Sequence, residues 1–429
     1  MKQNTMKKLI YLFLALLIFA CSSDDVGGDG STDDGGNANG NSYQWAPATD
    51  LGDPIGPYYG DTSNLLAANV NKILSYNGNL YVGGSFEAIG GQIIRSLAMW
   101  DGTTFTQVGN FNVPIVDLIV FNNKLYIQAQ ADIVNGWPGQ TDSIGQELYS
   151  WDGGSLQQVF YQSSQTPGSA CLGAPLILAK NYEYENQVDS KTEEWTVHNN
   201  YLFMYAKPDC SWGSGYKLMK FDGSNFSWHA DFAFNHGILA SYNNDLYATK
   251  VFDYNTNEIK EGVYKWSGSY NSDNTTSTGW ENISGEVLSD PEINDMIVYN
   301  NQLLIGGDFE TIDGLTIENF ALYNGSSWSS VPEWLGVNSW PAEPVDFKID
   351  PNGDLISVFY VGPWDGFSDL GQHQYIGKLS NGNWTSLHYN LNQFLGLRSC
   401  KTLEFYGDEL YLGAVGTGYS VNFLKLSEN

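Results

Sequence analysis

The chain has 429 residues and carries 48 acidic against 19 basic side chains, a formal net charge of −29. So acidic a surface repels phosphate backbones and argues against nucleic acid as a partner. Four cysteines, none in a CxxC pair, leave zinc and thiol-redox motifs without ligands.

In chain order, the positive stretch "MKQNTMKK" leads into the apolar run "LIYLFLALLIFA" at 9–20, which stops at Cys21. Twelve apolar residues are too few to span a bilayer, so residues 1–20 read as a signal peptide. The junction "IFAC", with small Ala20 before Cys21, resembles the lipobox of bacterial lipoproteins. That resemblance implies cleavage before Cys21 and lipid attachment to its sulfur. Loss of Lys2, Lys7 and Lys8 with the signal leaves 19 − 3 = 16 basic residues, and a mature charge of −32. Residues 21–42 comprise the lipidated cysteine and "SSDDVGGDGSTDDGGNANGNS", a Gly, Ser, Asp and Asn tether too polar to fold. As a flexible coil its r.m.s. reach is roughly 25 Å. The acidic "SSDD" after Cys21 resembles the export signal of outer-surface lipoproteins in Gram-negative cells. The expected location is the outer membrane, lipid-anchored and facing the exterior.

Residues 43–429 repeat themselves. "YNGNLYVGG" (76–84) returns as "FNNKLYIQA" (121–129), "HNNYLFMYA" (198–206), "YNNDLYATK" (242–250), "YNNQLLIGG" (299–307), "PNGDLISVF" (351–359) and "YGDELYLGA" (406–414). Asn-Gly and Asn-Asn pairs tolerate positive φ, so each copy predicts a tight turn between two antiparallel strands, a and b. A second hairpin of strands c and d follows in "LAMWDGTTFTQVG" (97–109), "LYSWDGGSLQQVF" (148–160), "LMKFDGSNFSWHA" (218–230), "VYKWSGSY" rejoining at "GWENIS", "ALYNGSSWSSV" and "IGKLSNGNWTSL". Units recur about every 45–57 residues, apart from a longer gap before the third. Seven units of four short strands predict an all-β, seven-bladed β-propeller. The seventh unit stops at "NFLKLSEN" after strand c, while "SYQWAPATDLG" (42–52) reads as a d strand. The N-terminal strand is therefore expected to complete the last blade.

"LYVGGSFEAIGGQIIRSLAMWDGTTF" (80–105) and "LLIGGDFETIDGLTIENFALYNGSSW" (303–328) resemble the repeat of kelch-like and galactose-oxidase-like propellers and of Rax2-type surface proteins. The resemblance implies a fold, which hosts many functions. The copper ligands and cross-linked Tyr-Cys pair of galactose oxidase have no counterpart here.

Catalytic chemistry finds little footing. His198, His229, His236, His373 and His388 are scattered with no metal-ligand spacing. "DPNGD" (350–354) mimics part of a calcium loop but aligns with the a–b turns and lacks the distal Glu, so it reads as a turn. "DYNTNE" (253–258) lacks the loop glycine. Glu310 and Asp313 do not stand out as a glycosidase pair. No cofactor, metal or catalytic residue is expected.

Strand direction places the d–a and b–c loops on one face and the short a–b turns on the other. The variable loops carry tryptophans: Trp137, Trp212 and Trp364 in b–c loops, Trp334 and Trp340 in a d–a loop. With Asp365 and His373 they form the candidate ligand-binding set, suited to stacking on sugar rings beside polar groups. The expected function is a non-catalytic, glycan-binding surface module. A protein-protein scaffold is the alternative, and a hydrolase or lyase a third class. Cys171 and Cys210 fall on the same face and form a candidate disulfide, leaving Cys400 as the odd thiol.

Overall fold

In the a–b turns, Asn122 and Asn123, Asn199 and Asn200, Asn243 and Asn244, and Asn300 and Asn301 all hold φ between 47° and 66°. Two consecutive left-handed residues define the turn whose twist matches that of the flanking strands. Asn77 and Gly78 do the same. The computed structural model describes residues 43–49, 68–133, 143–160, 176–178, 195–208, 217–231, 237–253, 258–267, 279–285, 292–332, 342–361, 373–388, 397–416 and 423–428. Among them there is no helix, and none long and apolar enough to cross a membrane.

Seven antiparallel sheets follow one another along the chain. Blade one runs a to d through Asn69–Tyr76, Asn79–Ser85, Leu97–Trp100 and Phe105–Gln107. Blade two is Ile115–Phe121, Lys124–Ile133, Ser143–Trp151 and Leu156–Gln158. In blade four the strands are Leu239–Tyr242, Asp245–Asp253, Glu258–Trp266 and Trp280–Asn282. Blade five has Glu292–Tyr299, Gln302–Asp308, Phe320–Tyr323 and Trp328–Ser330, with a small hairpin, Thr311–Ile312 and Leu315–Thr316, in its b–c loop. Blade six is Ala342–Ile349, Leu355–Val361, His373–Ser380 and Asn383–His388. Blade seven has Leu397–Tyr406, Glu409–Gly416 and Phe423–Glu428, and its fourth strand is Tyr43–Pro47, paired from Tyr43 opposite Glu428 to Pro47 opposite Leu424.

Blade three departs from the four-strand expectation. Its sheet has five strands, because both Leu176–Leu178 and Trp195–His198 pair with strand b, Tyr201–Pro208, before Lys217–Phe221 and Phe226–Asp231 complete it. Leu178 lies opposite Ala206 and Trp195 opposite Met204, so the two pieces continue one another along strand b. In blade one the matching residues, Val70 opposite Gly84 and Ile73 opposite Val82, are separated by two residues that include a bulge. In sequence these two pieces are separated by residues 179–194, whereas blades one, two, five, six and seven have a bulge in strand a. This insertion accounts for part of the long gap in the repeat.

The core sits between blades. Ile73, Leu80, Val82 and Phe86 pack with Tyr411 and Phe423 of blade seven, and Leu125 and Ile127 of blade two pack with Tyr81 and Leu97 of blade one. Side chains alternate along each strand, so one set faces the preceding blade and the other the following one.

Candidate functional site

Innermost strands tie the blades together. Blades one, two, five, six and seven each carry a bulge in strand a, and the residue after it is polar: Lys72, Asp117, Asp295, Asp346 and Thr402. Asp295 Oδ1 accepts from Met296 N and Oδ2 from Phe347 N of blade six, both at 2.7 Å. Asp346 Oδ2 accepts from Leu403 N of blade seven at 3.1 Å, and Thr402 Oγ1 from Ile73 N of blade one at 3.2 Å. Lys72 pairs with Asp117 at 3.4 Å, and Asp117 Oδ2 accepts from Trp195 Nε1 of blade three at 2.8 Å. Each side chain thus reaches the next blade in the same rotational sense. Two bulged asparagines add a parallel set: Asn71 Nδ2 donates to Ile115 O, and Asn294 Nδ2 to Pro344 O and Glu343 Oε1. A bulge leaves its residue outside the ladder, and these amides use that freedom to cross the seam.

A further ion pair, Lys348 with Glu404, lies two residues nearer the turns between blades six and seven. Burial pushes the Glu404 carboxyl up, with Lys348 opposing that shift. These groups hold neighbouring strands in place across the seams.

The turn face is fastened separately. Tyr76 OH donates to Asn123 O at 2.6 Å, Tyr242 OH to Asn301 O at 3.1 Å and Tyr406 OH to Gly78 O at 3.0 Å. Each tyrosine ends a strand a and clasps the second turn residue of the following blade. At the c–d turns, Asp101 Oδ1 accepts from Thr103 N and Thr104 N, and Asp222 Oδ1 from Ser224 N and Asn225 N. Asn324 closes its turn in the same way. The "DPNGD" segment also behaves as a turn: Asp350 Oδ1 accepts from Asn352 N and Asp354 N, while the Lys378 ammonium bridges Asp350 and Asp354.

On the loop face, the b–c loops of blades one and five share one design. Phe86, Ile89 and Ile94 are buried in the first, Phe309, Ile312 and Ile317 in the second, and Ser96 and Asn319 both hold φ at 61°. Ile93 at 83% and Leu315 at 46% exposure stand out from these loops. Arg95 follows in the first of these loops, its backbone N donating to Gln107 Oε1 and its guanidinium to Asn112 Oδ1.

Trp137, Trp212, Trp334, Trp340, Trp364 and Asp365 lie outside the described residues, as do Cys21, Cys171 and Cys210. His373 opens strand c of blade six opposite Val361, at its loop-face end. Cys400 is buried, its thiol donating to Thr402 O. Among the described residues, no group of three or more His, Cys, Asp or Glu is placed to hold a metal ion. Sequence reading passed over the clasp residues, although a signal was present: Asp117, Asp295 and Asp346 each stand four residues before the residue that enters the a–b turn.

The seam between blades three and four holds two histidines instead of a carboxylate clasp. His198 Nδ1 bonds Ser241 Oγ across it at 2.9 Å, and the His229 ring lies 4.8 Å from Phe203 and 4.5 Å from Trp266. Burial, reinforced by the charges of Lys220 and His198, pulls the His229 imidazole down to about 4. The unfolded imidazole takes a proton near 6.5. Stability from this group is therefore fully present above about 6.5 and lost as pH falls toward 4. The expected loss is ~3 kcal/mol, and His229→Phe should flatten that limb of the stability profile in urea titrations at stepped pH. An unchanged profile in the variant would contradict it.

No protein-family model matches the chain. No curated protein matches it either. Solved structures do. A mutant of Trypanosoma rangeli sialidase displaying trans-sialidase activity is similar over 90% of this chain at 12% identity and a TM-score of 0.37. The Pyrococcus horikoshii acylaminoacyl peptidase is similar over 70% at 13% identity and 0.34. The chain spans 58% and 45% of the lengths of these two proteins. The β-propeller domain of the Trilobed protease from Pyrococcus furiosus is similar over 76% of this chain and 99% of its own length, at 8% identity and 0.31. By its own strand pairings, the protein is a seven-bladed β-propeller.

Proposed function

We propose that this propeller is a non-catalytic binding module of the kelch-like, Rax2-type kind, held as a lipoprotein at the outer surface and taking a glycan on its loop face. The reading rests on the contrast between the two faces. Tight turns, tyrosine clasps and Asx-closed corners recur on one face from blade to blade. Long connections of unlike length and sequence, four of them bearing tryptophan, belong to the other. A scaffold rigid at one end and varied at the other concentrates recognition on the varied loops. Indole rings with Asp365 and His373 beside them supply stacking surface and hydrogen-bonding edges, as a sugar requires.

The direct test is a glycan array probed with the soluble form beginning at Ser42. Retention on a defined saccharide class supports the reading. A blank array, together with capture of a specific surface protein, would replace it with the scaffold reading.

A further inference from the structure

Strand direction fixes where the tether joins the propeller. Every strand a ends at an a–b turn, so it runs from the loop face to the turn face; b returns, c descends and d returns. A d strand therefore begins on the turn face. Tyr43 opens the d strand of blade seven, opposite Glu428 at the turn-face end of strand c, and Pro47 lies opposite Leu424 toward the loop face. The backbone preceding Tyr43 thus enters at the turn face.

We propose that the turn face is the membrane-proximal face of the anchored protein and that the loop face points outward, away from the bilayer. This rests on the lipoprotein reading of Cys21. An anchor upstream of Tyr43 draws the propeller toward the membrane by its turn face. Strand a of blade one, eight residues long, gives a blade height of about 25 Å. The tether's r.m.s. reach is of the same size. On the composition reading of residues 21–42 as a tether, bringing the loop face to the bilayer adds the full height of blade seven to the span they must cover, which chain entropy opposes. The turn face is polar and stays hydrated beside a bilayer instead of inserting into it: Asn77, Asn122, Asn199, Asn300, Asp101 and Asp152 are all exposed there. Hydrogen bonds from Thr103 and Thr104 hold the Asp101 carboxyl down to about 2, and bonds from Ser155 and Gly154 lower that of Asp152. A glycan or other large ligand approaching from outside then meets the varied loops first.

The experiment uses lipidated, full-length protein in phosphatidylcholine vesicles doped with an energy acceptor on the headgroup. Cys171 and Cys210 are changed to Ser, and a donor dye is placed at Ser155→Cys or Asp408→Cys on the turn face, or at Ile93→Cys or Leu315→Cys on the loop face. Two positions per face guard against one variant that fails to fold. Transfer from the turn-face positions should exceed that from the loop-face positions roughly twofold or more, given a face separation of about 25 Å. Equal transfer, or stronger transfer from Ile93→Cys and Leu315→Cys, would overturn the orientation while leaving the anchor in place. A Cys21 peptide that carries no lipid by mass spectrometry would overturn the anchor and the orientation together.

Discussion

Asp295→Ala should lower the unfolding free energy by about 2–5 kcal/mol. The carboxylate is buried at 2% exposure and accepts from Met296 N within its own strand and Phe347 N across the seam. Truncation strips both amides of this acceptor in a place water does not reach, and each buried donor left unsatisfied costs about 1–3 kcal/mol. Asp101→Ala is the contrast, since that carboxylate caps an exposed turn where water replaces it. Urea denaturation followed by tryptophan fluorescence separates the two. An Asp295→Ala midpoint equal to wild type would remove the clasp from the energetics of the ring.

Deleting residues 43–47 should lower the melting temperature by about 5–10 °C or cause aggregation. The strand pairs along its whole length with Phe423–Glu428, and Ala48 N continues the contact to Phe423 O. Without it, Phe423–Glu428 becomes an unpaired edge, the kind of surface on which other chains add strands. A synthetic peptide of residues 42–49 should restore part of the lost stability by taking the vacant place. A deletion variant that melts like the parent, monomeric and indifferent to the peptide, would contradict the pairing as a stabilising element.

The turns were legible in the sequence because their chemistry is local. An Asn-Asn pair needs no distant partner to hold positive φ, and the seven copies announced seven hairpins. The tyrosine before four of the seven turns was visible as part of the repeat, but its purpose was not: Tyr76 OH meets Asn123 O only once two blades stand side by side. Bulges hide for the same reason, because Asn71 and Asn294 are extra residues only relative to the strands they oppose. In blade three the sequence offered a gap without a location. The structure shows that both Leu176–Leu178 and Trp195–His198 pair with one strand, so strand a of this blade is split in sequence. "DPNGD" reads correctly as a turn, yet nothing local foretells that Lys378, 28 residues from Asp350, bridges its two carboxylates. The tryptophan set was found by composition and face, which say where loops lie but not how side chains in them are arranged.

The most direct test of a glycan-binding loop face is Trp340→Ala combined with Trp364→Ala, in the soluble form beginning at Ser42. Topology assigns these two residues to loops of the same blade and the same face. Stacking rings at a binding surface contribute ligand contact and little core, whereas a large aromatic removed from a packed site costs about 3–5 kcal/mol. Thermal melting and affinity electrophoresis through polysaccharide gels are read side by side. The account predicts a double variant that melts like wild type and is no longer retarded by the polysaccharide that slows the parent. A variant that melts normally and is retarded as before in every such gel would contradict it.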